Sequence, residues 1–286
     1  MRFFESNFQY GARVSFFALA MSVFVQCFGS QPVFAVSIPD ELKGIGITEH
    51  LGDQVPLGDY TFKNEVGKVV KLTDYFHAGR PVLLTLVYYE CPNLCNFLLN
   101  GLVKSLKTLD WTPGQNFEIV TLSINPNEKP ELAEKKKAAY LESYGRKDAG
   151  AGWHFLTGDE VQIRKLAAQV GFGYRYEPKD AQYAHSAAIF ALTPEGKISR
   201  YLYGIEFKNT DLRLSLLEAS NGKIGSIIDR ILLFCYRYDP QTRKYSIYLT
   251  KVMQAGSGLT LLIFGGYLAL FWRSQGKEPK FHVFDV

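Results

Sequence analysis

Residues 81–95 read PVLLTLVYYECPNLC, and this stretch decides which fold the sequence predicts. Its first part, Pro81 to Tyr89, is a continuous apolar run, typical of a strand that is covered on both faces of a sheet. After Cys95, leucines recur at helical spacing as far as Leu109. The sequence therefore predicts a strand that leads directly into a helix. Cys91 and Cys95 lie at the junction, where ligands gather in open sheets.

Regular structure is predicted around this junction, from about Asp53 to Ala219. Short β-rich runs alternate there with amphipathic stretches, which favours one α/β domain with a central sheet. His185 is predicted to open a hairpin whose turn is Thr193-Pro194-Glu195-Gly196. The further strands are predicted over 117–124, 153–156, 186–192 and 197–203, and the further helices over 130–144, 159–171, 209–219 and 225–233.

Residues 1–35 carry the pattern of a secretory signal. An apolar run, Val14 to Phe28, is followed by small residues at the cleavage point Val33-Phe34-Ala35. The mature chain is predicted to begin near Val36, so that Cys27 is discarded with the signal. The alternative interpretation is an N-terminal membrane anchor that stays uncleaved.

The segment from Val252 to Trp272 contains no charged residue and is long enough to cross the hydrocarbon core of a bilayer as a helix. The chain then divides into the signal, a domain over 36–220, a connecting segment over 221–251, a transmembrane helix over 252–272 and a tail over 273–286. Basic residues in the tail favour its placement in the cytoplasm. The domain is then expected in the periplasm, anchored to a bacterial inner membrane. A buried core helix is the alternative for 252–272.

The charge pattern excludes one class of partner. The formal net charge is only +4, and the lysines and arginines are dispersed rather than gathered in one stripe. Nucleic-acid binding leaves a basic patch or stripe in a sequence, so no nucleic-acid partner is predicted.

The two cysteines at the junction are placed for shared chemistry. Cys91 and Cys95 are four residues apart at a helix start, so one helical turn brings both sulfurs to the same side. A helix N-terminus favours negative charge and therefore the thiolate, which is the form that binds soft metals and attacks disulfides. A structural disulfide is the plain alternative in an exported protein, although it would enclose a very small loop.

His185 is the third candidate, because the predicted topology brings it to the same end of the sheet as Cys91. Taken by itself it could equally be a surface histidine or a satisfied core histidine. Two thiolates and one imidazole form a good ligand set for Cu(I), and zinc is the main competitor. A closed structural zinc site would need a fourth ligand, and no further Cys or His stands nearby in the sequence.

The remaining cysteine and histidines are predicted to have structural roles. Cys235 is interpreted as a buried or membrane-proximal thiol rather than a third redox cysteine. His50, His77 and His154 are interpreted as structural or surface residues.

The order of strand, Cys-x-x-x-Cys, helix, strand and a distant His-Ser resembles the Sco/SenC family. The similarity extends from about Pro56 through Val82–Leu109 and the Trp153-His154-Phe155-Leu156-Thr157-Gly158 segment. It continues through Ala184-His185-Ser186 to Tyr201-Leu202-Tyr203-Gly204. The resemblance implies a thioredoxin-like fold in which Cys91, Cys95 and His185 bind copper. It also implies assembly of the binuclear copper centre of cytochrome c oxidase, with the copper-bearing subunit of the oxidase or another copper protein as partner.

Two features depart from that family's pattern. Many members carry an acidic residue just before the ligand histidine, where this chain has Ala184, so Asp180 is considered as a substitute that tunes the imidazole. The C-terminal span also differs from the N-terminal anchor common in the family.

Two functions are compatible with the resemblance. One is a metallochaperone that passes copper on by ligand exchange, without turnover. The other is a thiol-disulfide oxidoreductase that reduces the cysteines of a copper-site partner. A peroxide-reducing thiol enzyme ranks third, because its reactive cysteine stands in a different local motif.

Overall fold

The structure is a computed structural model that describes residues 44–76, 79–91, 94–221, 236–239, 244–247 and 249–275. Within these ranges, the side chains of a few residues, Cys95 among them, are not described. Several predictions fall outside the described residues: those for the signal over 1–35, for His77 and Cys235, and for a helix over 225–233. All but the first three residues of the predicted tail lie outside them as well.

Strands and helices alternate along the described chain. The helices are α1 Leu94–Lys107, α2 Pro130–Tyr144, α3 Glu160–Gln169, α4 Asn209–Ala219 and α5 Leu249–Gln275. The strands are β1 Gly46–Ile47, β2 Thr61–Lys63, β3 Val69–Lys71, β4 Val82–Val87, β5 Glu118–Ser123, β6 Trp153–Leu156, β7 Phe172–Glu177, β8 Gln182–His185, β9 Ala188–Leu192, β10 Ile198–Tyr203, β11 Tyr236–Asp239 and β12 Lys244–Ile247.

The core of the domain is a five-stranded sheet in the order β10-β9-β4-β5-β6. Strands β4, β5 and β6 run parallel, and β9 is antiparallel to β4. Every residue of β4 and β5 is buried, so both faces of the sheet are covered. This mixed α/β architecture confirms the predicted central sheet with flanking helices.

The helix boundaries follow from their capping residues. Helix α2 begins with Pro130, which is tolerated in a first turn, and stops at Gly145, whose φ of 79° lies in the left-handed region. Helix α3 begins after Asp159, whose carboxylate accepts a hydrogen bond of 2.9 Å from the Gln162 N–H. Both helices confirm the boundaries that the sequence predicts.

A second sheet, in the order β1-β7-β8, was not predicted. Its β7–β8 hairpin turns through Ala181, a residue other than glycine with a φ of 50°. His185 is the last residue of β8, and Ser186 and Ala187 separate it from β9. The expectation that His185 opens the following hairpin is therefore corrected: it closes the preceding one.

The C-terminal part contains the β11–β12 hairpin and the 27-residue helix α5. Within the stretches that the structure describes, no helix meets the length and apolar content needed to cross a membrane. The predicted span over 252–272 is thus not confirmed.

Candidate metal and thiol site

Cys91 is held in a tight turn directly after β4. Its side chain is buried, with 4% of the residue exposed. Its N–H donates to the Tyr88 carbonyl at 3.3 Å, and its own carbonyl accepts from Asn96 Nδ2 at 2.8 Å. Cys95 lies in the first turn of α1, with its side chain outside the description. The backbone therefore places both cysteines at the N-terminal end of a helix, as predicted.

His185 is buried at the end of β8, opposite Tyr174 of β7, with 8% of the residue exposed. Its Nδ1 lies 2.9 Å from the Ser186 carbonyl oxygen. Burial lowers the pKa of His185, although the bond to the carbonyl works in the opposite direction. The imidazole is therefore neutral near pH 7. Since a carbonyl only accepts, the proton sits on Nδ1, and Nε2 carries the lone pair that a metal needs.

Tyr88 connects Cys91 to His185. Its carbonyl accepts the Cys91 N–H, and its ring lies 6.1 Å from the His185 ring in an edge-on arrangement. The Phe172 ring packs on the imidazole from another direction, with 5.6 Å between the ring centroids. The two residues thus lie at the same end of the central sheet. The pairing of Thr85 with Ile189 explains this, because it puts the start of β9 beside the C-terminal end of β4.

An open cleft of about 750 Å³ lies beside Tyr88. Its lining is mainly polar and includes Glu90, Asn125, Arg164 and Tyr183. The Tyr183 ring packs against the Tyr88 ring at 5.5 Å. The cleft is thus lined by the same tyrosine that packs on His185.

No cluster of three His, Cys, Asp or Glu side chains suited to a metal occurs among the side chains that are described. Because Cys95 is not among them, the proposed trio of Cys91, Cys95 and His185 stays a prediction. The structure does bring two of its three members to the same end of the sheet.

Comparison with known proteins gives the family. The sequence model of the SCO1/SenC family matches residues 49–213, more than half of the chain. This chain belongs to the SCO1/SenC family. Among curated proteins, the mitochondrial Protein SCO2 homolog of Bos taurus is 27% identical over 149 residues, which cover 50% of this chain and 52% of that protein. The match thus spans about half the length of this relative.

Two solved structures are similar to this chain. A putative electron transfer protein from Aquifex aeolicus VF5 is 25% identical, with a TM-score of 0.52, and the match covers 60% of this chain and 96% of that one. The copper-bound ScoI of Arabidopsis thaliana is 18% identical, with a TM-score of 0.40, and the match covers 50% of this chain and 85% of that one. The mixed α/β, thioredoxin-like fold agrees with the family match and with the Aquifex structure.

The group that Nδ1 of His185 contacts in this SCO1/SenC protein belongs to the backbone. Ala184 precedes the histidine, and Asp180, which the sequence suggests as a substitute carboxylate, lies in the β7–β8 turn and lines the cleft. The Ser186 carbonyl instead accepts the Nδ1 proton. A backbone carbonyl and a carboxylate both accept hydrogen bonds and donate none, so either group fixes the proton of His185 on Nδ1.

Two other histidines have structural partners. The His50 N–H donates to the Tyr201 hydroxyl at 2.8 Å, and its Nδ1 lies 3.0 Å from the Gln169 carbonyl. His154 Nε2 lies 3.2 Å from the buried Glu118 carboxylate. His154 is in β6, opposite Val120 of β5 and close to the end of the sheet that is remote from Cys91.

Glu128 is a residue of the site region that the sequence did not predict. This buried carboxylate accepts hydrogen bonds from the backbone of Tyr89 and Glu90, directly before Cys91. One signal could have found it: β4 and β5 are parallel neighbours, so the loops that follow them meet at one edge of the sheet.

Proposed function

We propose that this SCO1/SenC protein is a copper metallochaperone that binds Cu(I) through Cys91, Cys95 and His185. It delivers the ion to the copper-bearing subunit of cytochrome c oxidase during assembly of the oxidase copper centre. The supporting observation is the position of Tyr88, whose carbonyl accepts the Cys91 N–H and whose ring packs on His185. Tyr88 therefore contacts both Cys91 and His185, which are far apart in the sequence.

The donor set fits Cu(I) chemically. Thiolates are the soft ligands that select Cu(I), and imidazole completes a three-coordinate site. The helix N-terminus at Cys91 and Cys95 favours the thiolates, and the neutral His185 offers Nε2 without first losing a proton. Binding then releases only the thiol protons. Three ligands leave the ion open to an incoming thiolate of the acceptor, so copper moves by ligand exchange and no turnover is needed.

A copper titration tests this proposal. Purified full-length protein, fully reduced, should bind one Cu(I) per chain in competition with a chromogenic chelator. Protein whose thiols have been alkylated beforehand should bind none with comparable affinity. Equal binding by the native and alkylated proteins would show that the copper is not held by the cysteines.

A second candidate function is thiol-disulfide exchange, which the placement of both cysteines at the start of α1 in a thioredoxin-like fold favours. One thiolate attacks a partner's disulfide, a mixed disulfide forms and a partner thiolate leaves. The other cysteine attacks the mixed disulfide, the second partner thiolate leaves and Cys91 and Cys95 become joined. Two electrons pass to the partner. Reduction of an oxidised copper-site peptide, combined with negligible Cu(I) binding, would favour this function over the first.

We further propose that the C-terminal helix anchors the domain to the bacterial inner membrane, with the domain in the periplasm. Support comes from the uncharged sequence 252–272 and from its continuous helix α5, where large apolar side chains such as Leu262 and Phe264 are exposed. Alkaline carbonate extraction of membranes should leave the full chain in the pellet and release a chain truncated after residue 248. Release of both forms would remove the anchor from the proposal.

A further inference from the structure

Glu128 is a buried carboxylate in the loop between β5 and α2, with 6% of the residue exposed. Its Oε1 accepts the Glu90 N–H at 2.9 Å. Its Oε2 accepts the Tyr89 N–H at 2.9 Å and the Ser123 hydroxyl at 2.5 Å. Three donors therefore converge on one side chain, and two of them belong to the backbone that leads into Cys91.

Its hydrogen bonds distinguish Glu128 from the other buried glutamate near β5. Glu118, at the start of β5, has 1% of the residue exposed and is paired with the Arg80 guanidinium at 2.8 Å and with His154 at 3.2 Å. Across the stretches that the structure covers, Glu128 has no such cationic partner. Burial raises its pKa, and the three hydrogen bonds counteract that rise only in part. Desolvating a carboxylate is costly, and the three donors to Glu128 offset this cost only while the backbone at Tyr89 and Glu90 stays in place.

The segment that Glu128 holds is the link between the sheet and the thiols. Ladder pairing of β4 with β5 ends with the bond from the Ile124 N–H to the Val87 carbonyl. Beyond that point the N–H groups of Tyr89 and Glu90 donate to the Glu128 carboxylate instead of to a neighbouring strand. The Tyr89 hydroxyl also donates to the Leu156 carbonyl at 2.7 Å, which fixes the same residue from its side-chain end.

We propose that Glu128 is a positioning residue that fixes the backbone at Tyr89 and Glu90 and thereby sets the location and accessibility of the Cys91 sulfur. The inference deepens the proposed copper function and, where copper is concerned, rests on it. Only a carboxylate suits the position. Glutamine would turn an NH₂ group toward a backbone N–H, and aspartate is one methylene too short to keep all three contacts. Loss of the contacts leaves backbone donors buried without partners and releases the segment before Cys91.

The test compares Glu128→Gln with Glu118→Gln, a matched control that also neutralises a buried carboxylate near β5. In Glu128→Gln, the Cu(I) dissociation constant should rise about 10–100-fold, as for other groups that orient metal ligands. Iodoacetamide should modify Cys91 roughly tenfold faster than in the wild type, because local opening exposes a thiol that is buried in the wild type. Peptide mass spectrometry measures this rate. The thiolate-to-copper charge-transfer absorption of the Cu(II)-loaded protein should also change. Glu118→Gln should have a lower melting temperature but wild-type values of all three quantities.

Ser123→Ala provides a milder variant, since it removes one donor and leaves Glu128 in place. The changes in Cu(I) affinity, alkylation rate and absorption should be smaller than in Glu128→Gln and in the same direction. If Glu128→Gln does not fold, these three measurements on Ser123→Ala test the role of Glu128 instead. The proposal is overturned if the folded Glu128 variant, or Ser123→Ala in its place, matches Glu118→Gln in copper affinity, alkylation rate and absorption. If the wild type binds no Cu(I), the copper function fails, and the alkylation rates alone still support or overturn the role of Glu128.

Discussion

We expect Cys91→Ser to raise the Cu(I) dissociation constant at least about 1000-fold, which corresponds to roughly 4 kcal/mol of binding free energy. Removing a group that only orients a metal ligand lowers metal affinity about 10–100-fold, and we expect the loss of a thiolate ligand to lower it further. A serine hydroxyl is a hard donor that stays protonated near neutral pH, so it does not replace the soft sulfur. The single substitution also removes any dithiol chemistry, since Cys95 is left without its partner.

Chelator competition at fixed pH gives the dissociation constants of Cys91→Ser and of wild type. Cys235→Ser is the matched control, because it deletes a cysteine that lies outside the Cys-x-x-x-Cys motif, and its affinity should equal that of wild type. Comparable losses in Cys91→Ser and Cys235→Ser would mean that copper is bound by unspecific thiols. An unchanged affinity in Cys91→Ser would remove this cysteine from the site.

The second large effect is expected for His185→Ala, whose Cu(I) dissociation constant should rise about 100-fold, or roughly 2.7 kcal/mol. The loss is smaller than for cysteine because Cu(I) prefers thiolates and keeps both of them in this variant. The dithiol should still be oxidised to a disulfide and reduced again, since neither sulfur is changed. His185→Ala therefore separates copper binding from thiol exchange, which Cys91→Ser does not.

His154→Ala serves as the matched control for the histidine. It removes an imidazole that contacts Glu118, near the opposite end of the sheet, so it should lower stability without changing copper affinity. Both affinities are measured well below the melting temperature of the less stable variant. Equal Cu(I) affinity in wild type and His185→Ala would rule out the three-ligand site and leave a site built from the two thiols.

The central strand and the helix after it were predictable because local chemistry determines them. The apolar run at Val82–Val87 is buried on both faces, and the leucine spacing from Leu98 onward is typical of a helix. The β7–β8 hairpin was not predictable in this way. Its turn contains no glycine, its strands are only partly buried, and the contacts of Tyr174 and Tyr176 with Tyr183 form only once the chain has folded.

The site also combines features that the local sequence determines with features that form only through tertiary pairing. Helical spacing predicts that Cys91 and Cys95 face the same side, and the strand order brings His185 to the end of the sheet where Cys91 lies. Glu128, in contrast, has the sequence context of an exposed loop, after Asn125-Pro126 and before Lys129. It is buried because the parallel neighbours β4 and β5 end side by side, and this is a property of tertiary pairing rather than of local sequence.

Copper K-edge X-ray absorption of the Cu(I)-loaded full-length protein tests the three-ligand copper site, because it counts the atoms bound to the metal. We expect two sulfur scatterers and one imidazole nitrogen in the wild type, and loss of the imidazole contribution in His185→Ala. A first shell without sulfur, or a wild-type spectrum that His185→Ala leaves unchanged, would contradict it.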